Sequence, residues 1–324
     1  MYRRISALLA LISLSACVAS PMYTSRVEER YPPSGEFLTF EGGDLHVARR
    51  GEGSPVLMIH GASANMREFM FTLAPHLEDD PIEMIMVDRP GHGYSERISD
   101  AHELGRQARA MAAVIEAGSG EPVVIVGHSF GGAVALRFAL DYPELTRGLV
   151  LLAPVTHDWG SGGVALYNKI AAFPALGHVF SQFAPLVGPD IARSSLEQLF
   201  SPAPVPDNYA ENLGVDLLFR PPNFRANARD VVNLQEELQR QQVRYSDELT
   251  VPVILFSGSF DTVIKPSLHA ARLRRDAPDH VVLVPLEDEG HMPHHAKAEL
   301  IADTIARLAN GESVQITDFL NATG

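Results

Sequence analysis

The chain has 324 residues, 46% of them hydrophobic and 20% charged, the balance of an ordered globular protein with room for one large domain or a core with an insertion. Its formal net charge of −14 excludes nucleic acid as a partner, because phosphate binding needs an excess of Lys and Arg. No stretch of the body is long and apolar enough to span a bilayer, and Cys17, the one cysteine, leaves no internal disulfide to support the fold.

The first segment differs from the rest. Arg3 and Arg4 precede the apolar run Ile5–Leu14, a basic n-region and short h-region typical of an export signal. Leu14-Ser15-Ala16-Cys17 follows. This string resembles a bacterial lipoprotein lipobox, which implies cleavage before Cys17 (signal peptide 1–16) and lipidation of that residue. Several acyl chains hold a protein stably at a membrane where one does not. By the same resemblance, Val18 after the cysteine favours the periplasmic face of the outer membrane. The other reading is an ordinary signal peptide with an incidental cysteine, cleaved near Ala19 or Ser20, giving a periplasmic or secreted protein. Residues 17–36 are rich in Pro, Ser and charge and read as a lipidated tether.

From Phe37 the pattern becomes strand-like. Phe37–Phe40 and Leu45–Arg49 flank Glu41-Gly42-Gly43-Asp44, a hairpin turn. Val56–Ile59 and Ile82–Val87 are predicted strands, with a helix over Phe69–Leu77 between them. Ala101–Ala117 is a predicted helix with a small-residue face. The apolar β-branched run Val123–Val126 leads into Gly127-His128-Ser129-Phe130-Gly131-Gly132, and Ala133–Tyr142 reads as a helix. Gly-x-Ser-x-Gly between strand and helix is the pattern of a nucleophile elbow. A serine hydroxyl attacks poorly unless it is held beside a base. The sharp turn holds it, next to unpaired N–H groups at a helix start.

Gly148–Ala153 is a further strand. Residues 155–247 then break the alternation, with many Phe and Pro and no convincing strand. Helices are expected over Ala165–Phe173, Ser194–Phe200, Asn208–Phe219 and Ala228–Gln242, making an inserted helical cap that excludes water and shapes a pocket. Strands Val253–Gly258 and Val281–Leu286 and helices Pro266–Arg275 and His294–Asn310 complete the core, taken as residues 37–154 and 248–324. Apolar strands alternating with helices mean an α/β fold with a mostly parallel sheet.

An acyl-transfer serine needs a base, an acid to orient it and oxyanion donors. Asp261 lies just past one strand and His291 just past the last, where such sheets place their sites. Five strings stand in order: His60-Gly61-Ala62-Ser63, Asp88-Arg89-Pro90-Gly91-His92-Gly93-Tyr94-Ser95, the elbow, Gly258-x-x-Asp261 and Gly290-His291. With these the chain resembles the capped α/β-hydrolases. That group includes esterases, carbon–carbon-bond hydrolases, haloperoxidase-like enzymes, epoxide hydrolases and haloalkane dehalogenases. The resemblance implies Ser129 as nucleophile, His291 as general base and acid, and Asp261 as the residue that fixes the His291 tautomer. It implies backbone N–H donors at Phe130 and Ala62 for the oxyanion. Epoxide hydrolases and dehalogenases carry a carboxylate at the elbow, so Ser129 sets them aside.

The expected activity is that of a serine hydrolase cleaving a small or medium carboxylic ester through an acyl-enzyme. The alternatives are a carbon–carbon-bond hydrolase or perhydrolase/haloperoxidase-like enzyme with the same triad, and a binding protein on the same fold. Asp158, after strand Gly148–Ala153, is the competing acid. His128 and Trp159 are expected to pack, His60 to position the oxyanion loop, and Asp88, Arg89 and the Pro90–Gly93 turn to be structural. His291-x-x-His294-His295 lacks a carboxylate in register, so no metal and no cofactor is expected.

Overall fold

A computed structural model describes residues 19–160 and 162–319. The signal peptide and Cys17 lie outside the described residues.

Residues 19–30, expected to be part of a tether, form a helix, α1. The reason is an apolar repeat of four: Tyr23, Val27 and Tyr31 share one face, and Val27 and Tyr31 bury against Leu217. Tyr23 Oη donates to the Asp216 carbonyl at 2.9 Å, and Arg220 pairs with Glu28 at 2.7 Å.

Strands β1 (Glu36–Phe40) and β2 (Gly43–Arg50) form the expected hairpin, followed by β3 (Ser54–Ile59). The helix predicted over Phe69–Leu77 is two short ones, α2 (Arg67–Met70) and α3 (Ala74–Leu77). Pro75 lies in the first turn of α3, where its missing N–H costs nothing; it would break a continuous helix. Next come β4 (Ile82–Val87), α4 (Leu104–Glu116), β5 (Val123–His128), α5 (Phe130–Asp141) and β6 (Thr146–Leu152).

Between β6 and β7 the described residues hold no strand. They form α6 (Leu166–Ala172), α7 (Pro174–Ser181), α8 (Ala184–Phe200), α9 (Tyr209–Leu213), the 3₁₀ turn Val215–Phe219, α10 (Pro221–Gln242) and α11 (Tyr245–Glu248). Helix α7 was not expected, and α8 starts ten residues before the predicted Ser194, because Pro185 sits in its first turn. The chain closes with β7 (Val253–Gly258), α12 (Ala270–Asp276), β8 (Val281–Leu286), α13 (Pro293–Ala296) and α14 (Ala298–Ala309).

The sheet order is β1-β2-β4-β3-β5-β6-β7-β8. Strand β2 is antiparallel to β1 and β4, and all later pairings are parallel. The central strands are buried on both faces, which is why they read as continuous apolar runs. Their alternate residues feed two cores. Leu57, Ile59, Ile125, Leu151 and Leu255 pack with α4 and α5 on one face. Val56, Met58, Val126, Ile254 and Phe256 pack with α3 and α14 on the other. Strand β3 sits between β4 and β5, so the chain leaves it in opposite directions. Such a reversal opens a crevice at the carboxyl ends of the strands.

Candidate active site

The crevice lies between the loop after β3 and the turn after β5. Ser129 occupies that turn at φ 51°, ψ −113°, a conformation a non-glycine residue adopts only under constraint. Its N–H donates to the Leu152 carbonyl at 3.0 Å, and its carbonyl accepts from Gly132 and Val155, also at 3.0 Å. These bonds hold the strained geometry. Gly131 permits it: a Cβ there would stand 2.0 Å from the Ile59 carbonyl oxygen of the neighbouring strand. Ser129 is buried, and its Cβ faces Gly61 of the β3 loop.

Asp261 follows β7. Its Oδ1 accepts the N–H groups of Val263 and Ile264 at 2.8 Å each, and its Oδ2 lies 2.8 Å from His291 Nδ1. Both side chains are buried. With Nδ1–H donated to the carboxylate, Nε2 of His291 is left as the acceptor. The His291 carbonyl lies 3.1 Å from His128 Nε2, and the two imidazoles pack at 4.9 Å between centroids. This ties the His291 loop to the residue preceding Ser129. Ser129 Oγ makes no hydrogen bond among the described residues; such contacts are often long until substrate draws them together. Asp158 stands apart. Its carboxylate accepts from Gly160 N at 2.8 Å and Gln239 Nε2 at 2.9 Å, within its own loop and α10.

The backbone N–H of Ala62 makes no hydrogen bond among the described residues, and that of Phe130 opens α5, where no intrahelical acceptor exists. The loop carrying Ala62 is fastened from three sides. His60 Nδ1 bonds the Gly61 carbonyl at 2.8 Å while its Nε2 accepts from Arg89 N at 3.0 Å. Burial and the nearby Arg89 guanidinium push the His60 imidazole down to about 3, so it stays neutral. Arg89, fully buried, donates to the carbonyls of His60 and Gly61, at 3.1 and 3.2 Å, and stacks on the Phe130 ring. Its charge is met by Asp230 of α10 at 2.9 Å. Asn227, one turn earlier on α10, accepts from Ser63 N at 2.7 Å and donates to Ser63 Oγ at 3.1 Å. Asn227 and Asp230 escaped the sequence reading. The available signal was polar residues on the inward face of an amphipathic helix.

A second cluster lies under α13. His294 and His295, each through Nε2, share Glu68 Oε1 at 2.9 and 2.7 Å, and Tyr209 Oη donates to Oε2 at 2.8 Å. Burial favours the neutral acid, but the two imidazole bonds hold Glu68 well below the usual carboxylate range. The sequence reading found no carboxylate for these histidines. The fold brings one from 226 positions away. The three ligand atoms lie within 4.8 Å of one another, so the group has the composition of a metal site, yet hydrogen bonds already join its members.

Residues 54–298 match the family model for the alpha/beta hydrolase fold. The chain belongs to this family. It is 42% identical over 133 residues to Lipase LipV of Mycobacterium tuberculosis, covering 40% of this chain and 49% of the lipase, so the match spans about half of that relative. It is 27% identical to an uncharacterized protein of Mycobacterium tuberculosis over 296 residues, 87% of this chain and 82% of that one. Among solved structures, an esterase from Exiguobacterium antarcticum aligns with TM-score 0.68 at 21% identity, covering 86% of this chain and 100% of the esterase. At that identity the likeness concerns the fold, and this alpha/beta hydrolase shares its mostly parallel sheet.

Proposed function

We propose that the protein is a serine hydrolase that cleaves a small or medium carboxylic ester through an acyl-enzyme. The reading rests on one observation: an elbow serine stands beside a loop whose histidine presents Nδ1 to a buried aspartate at 2.8 Å. Ser129 Oγ attacks the ester carbonyl while His291 Nε2 takes its proton. Asp261 keeps the imidazole in that tautomer and stabilises its cation. The tetrahedral oxyanion is met by the N–H groups of Phe130 and Ala62, each worth about 3 kcal/mol in the transition state. His291 returns the proton to the leaving alcohol, then activates water to free Ser129. The similarity to a protein named as a lipase supports the ester class.

We further propose that Cys17 carries lipid and holds the enzyme in a bacterial cell envelope, at the periplasmic face of the outer membrane.

Hydrolysis of p-nitrophenyl esters from acetate to decanoate, by the protein and its Ser129→Ala variant, tests the activity. The expected result is turnover that falls at least about 10⁴-fold in the variant with its fold intact. Equal turnover in the two proteins overturns the assignment. A folded protein inert to every ester, yet active on a ring-cleavage product or in peroxide-dependent halogenation, replaces it with the corresponding alternative.

A further inference from the structure

Helix α7 and the first half of α8 are built inside out. In α7 the buried residues are Gly177 and Ser181; in α8 they include Ala184 and Gly188. The fit is tight: a Cβ on Gly188 would stand 2.1 Å from the Phe219 ring, and one on Gly177 would stand 2.1 Å from the Ala171 carbonyl oxygen. Most of the larger apolar residues from Phe173 to Ile191 therefore face outward, while Phe180 packs on Phe224 and Phe200 closes α8 inside the cap core. Phe173, Leu176, Val179, Leu186, Val187 and Ile191 each expose between 51% and 60% of their surface. Leu176 and Val179 stand three apart, and Val187 and Ile191 four apart, so each pair shares a helix face. Residues 170–189 contain no Asp, Glu, Lys or Arg, in a chain that is 20% charged. Clustered exposed apolar side chains of this kind, with Asp190 and Arg225 at their border, mark an interaction site.

The placement of α1 bears on what covers it. Helix α1 and helix α8 meet on the same turn of the cap: Tyr23 Oη bonds the Asp216 carbonyl at 2.9 Å, and Arg193 pairs with the Asp216 carboxylate at 3.0 Å. Met22, beside Tyr23, is itself 61% exposed. Cys17 precedes the described start of α1 by two residues, a reach of about 7 Å even when fully extended. An acylated Cys17 would therefore keep the bilayer beside the part of the cap that α1 and α8 share. The net charge of −14, made more negative when Arg3 and Arg4 leave with the signal peptide, argues against attraction to anionic headgroups and leaves burial of apolar side chains as the driving term.

We propose that the outward face of α7 and α8 docks in the lipid bilayer, so that the enzyme works with its cap pressed into the membrane. The proposal rests on the anchor at Cys17 proposed above for its geometry, and on the exposed apolar face for its energy.

The test uses the full-length chain, purified from bacterial membranes and reconstituted in vesicles of phosphatidylethanolamine and phosphatidylglycerol. Leu176→Cys and Val187→Cys variants are labelled with an environment-sensitive fluorophore. Glu144→Cys, exposed at the opposite end of the strands, is the control. Intact mass reads whether Cys17 carries lipid. The expected result is several-fold stronger quenching by nitroxide-bearing lipid at 176 and 187 than at 144. Equal quenching at the three positions on a lipidated protein overturns the docking while sparing the anchor.

An unmodified Cys17 overturns the anchor, and vesicle sedimentation of that chain then decides the docking. Binding that weakens about tenfold for each of Leu176→Asp, Val187→Asp and Ile191→Asp supports the apolar face, and absence of binding rejects it. Self-association abolished by these substitutions, without lipid quenching, overturns the proposal in favour of a second copy.

Discussion

Ser129 at φ 51° is held against its own preference by three backbone bonds and by the absence of a side chain at Gly131. Gly131→Ala would drive a methyl group into the Ile59 carbonyl, a backbone atom that cannot swing aside. We expect loss of the proposed esterase activity and a lower melting temperature together, seen by comparing turnover and thermal unfolding. Asp261→Asn should behave differently. It keeps the shape but leaves His291 Nδ1 facing an amide, favouring the wrong tautomer. We expect kcat to fall about 10⁴-fold with KM and melting temperature little changed; unchanged kcat would reject Asp261 as the orienting acid. The candidates Ser129, Asp261 and His291 were legible in the sequence because each belongs to a short glycine-containing string just past a strand. Glu68 was not, since nothing near His294 and His295 in sequence announces a carboxylate supplied by α2.

Helix α10 reaches out of the cap to fix the loop after β3, through Asn227 on Ser63 and Asp230 on Arg89 and Arg97. Removing Asn227 as Ala should release the Ala62 donor from its position. The expected effect is about a tenfold loss of kcat with a modest fall in the urea midpoint, because the two hydrogen bonds to Ser63 are worth about 1 kcal/mol each. Asp230→Ala should act on folding instead. It strands the fully buried Arg89 charge, which costs about 3–5 kcal/mol and should move the urea midpoint accordingly. The core strands were readable from their apolar runs. The cap was read less well: α7 and the first half of α8 carry little amphipathic contrast, since their buried side is made of small residues. Helix α1 was missed for the opposite reason, its repeat of Tyr23, Val27 and Tyr31 being diluted by charge.

The molecule as a whole buries several histidines in neutral form. Burial, with Arg89 beside His60 and His92 and other imidazoles beside His128 and His269, lowers His60 to about 3 and His269 to about 4 and holds His92 and His128 well below the usual imidazole value. In the unfolded chain these groups titrate near the ordinary value of about 6.5. Their contribution to stability is therefore complete above that pH and declines as pH falls from about 6.5 toward the folded values, by up to about 1.4 kcal/mol per pH unit for each. Glu68, held low, adds to the same trend at more acid pH. Melting temperature should drop steeply between pH 6.5 and 4, and a flat profile over that interval would contradict the buried neutral assignment.

The bonds from Asn227 and Asp230 into the core also say where this protein can be cut and spliced. A chimera that exchanges everything between β6 and β7 for a relative's insertion removes the side chains that hold a core loop in place. Its failure would say nothing about the donor's substrate pocket. The exchangeable module ends before α9, whose Tyr209 holds Glu68, and α9 and α10 have to travel with the sheet and helices they serve.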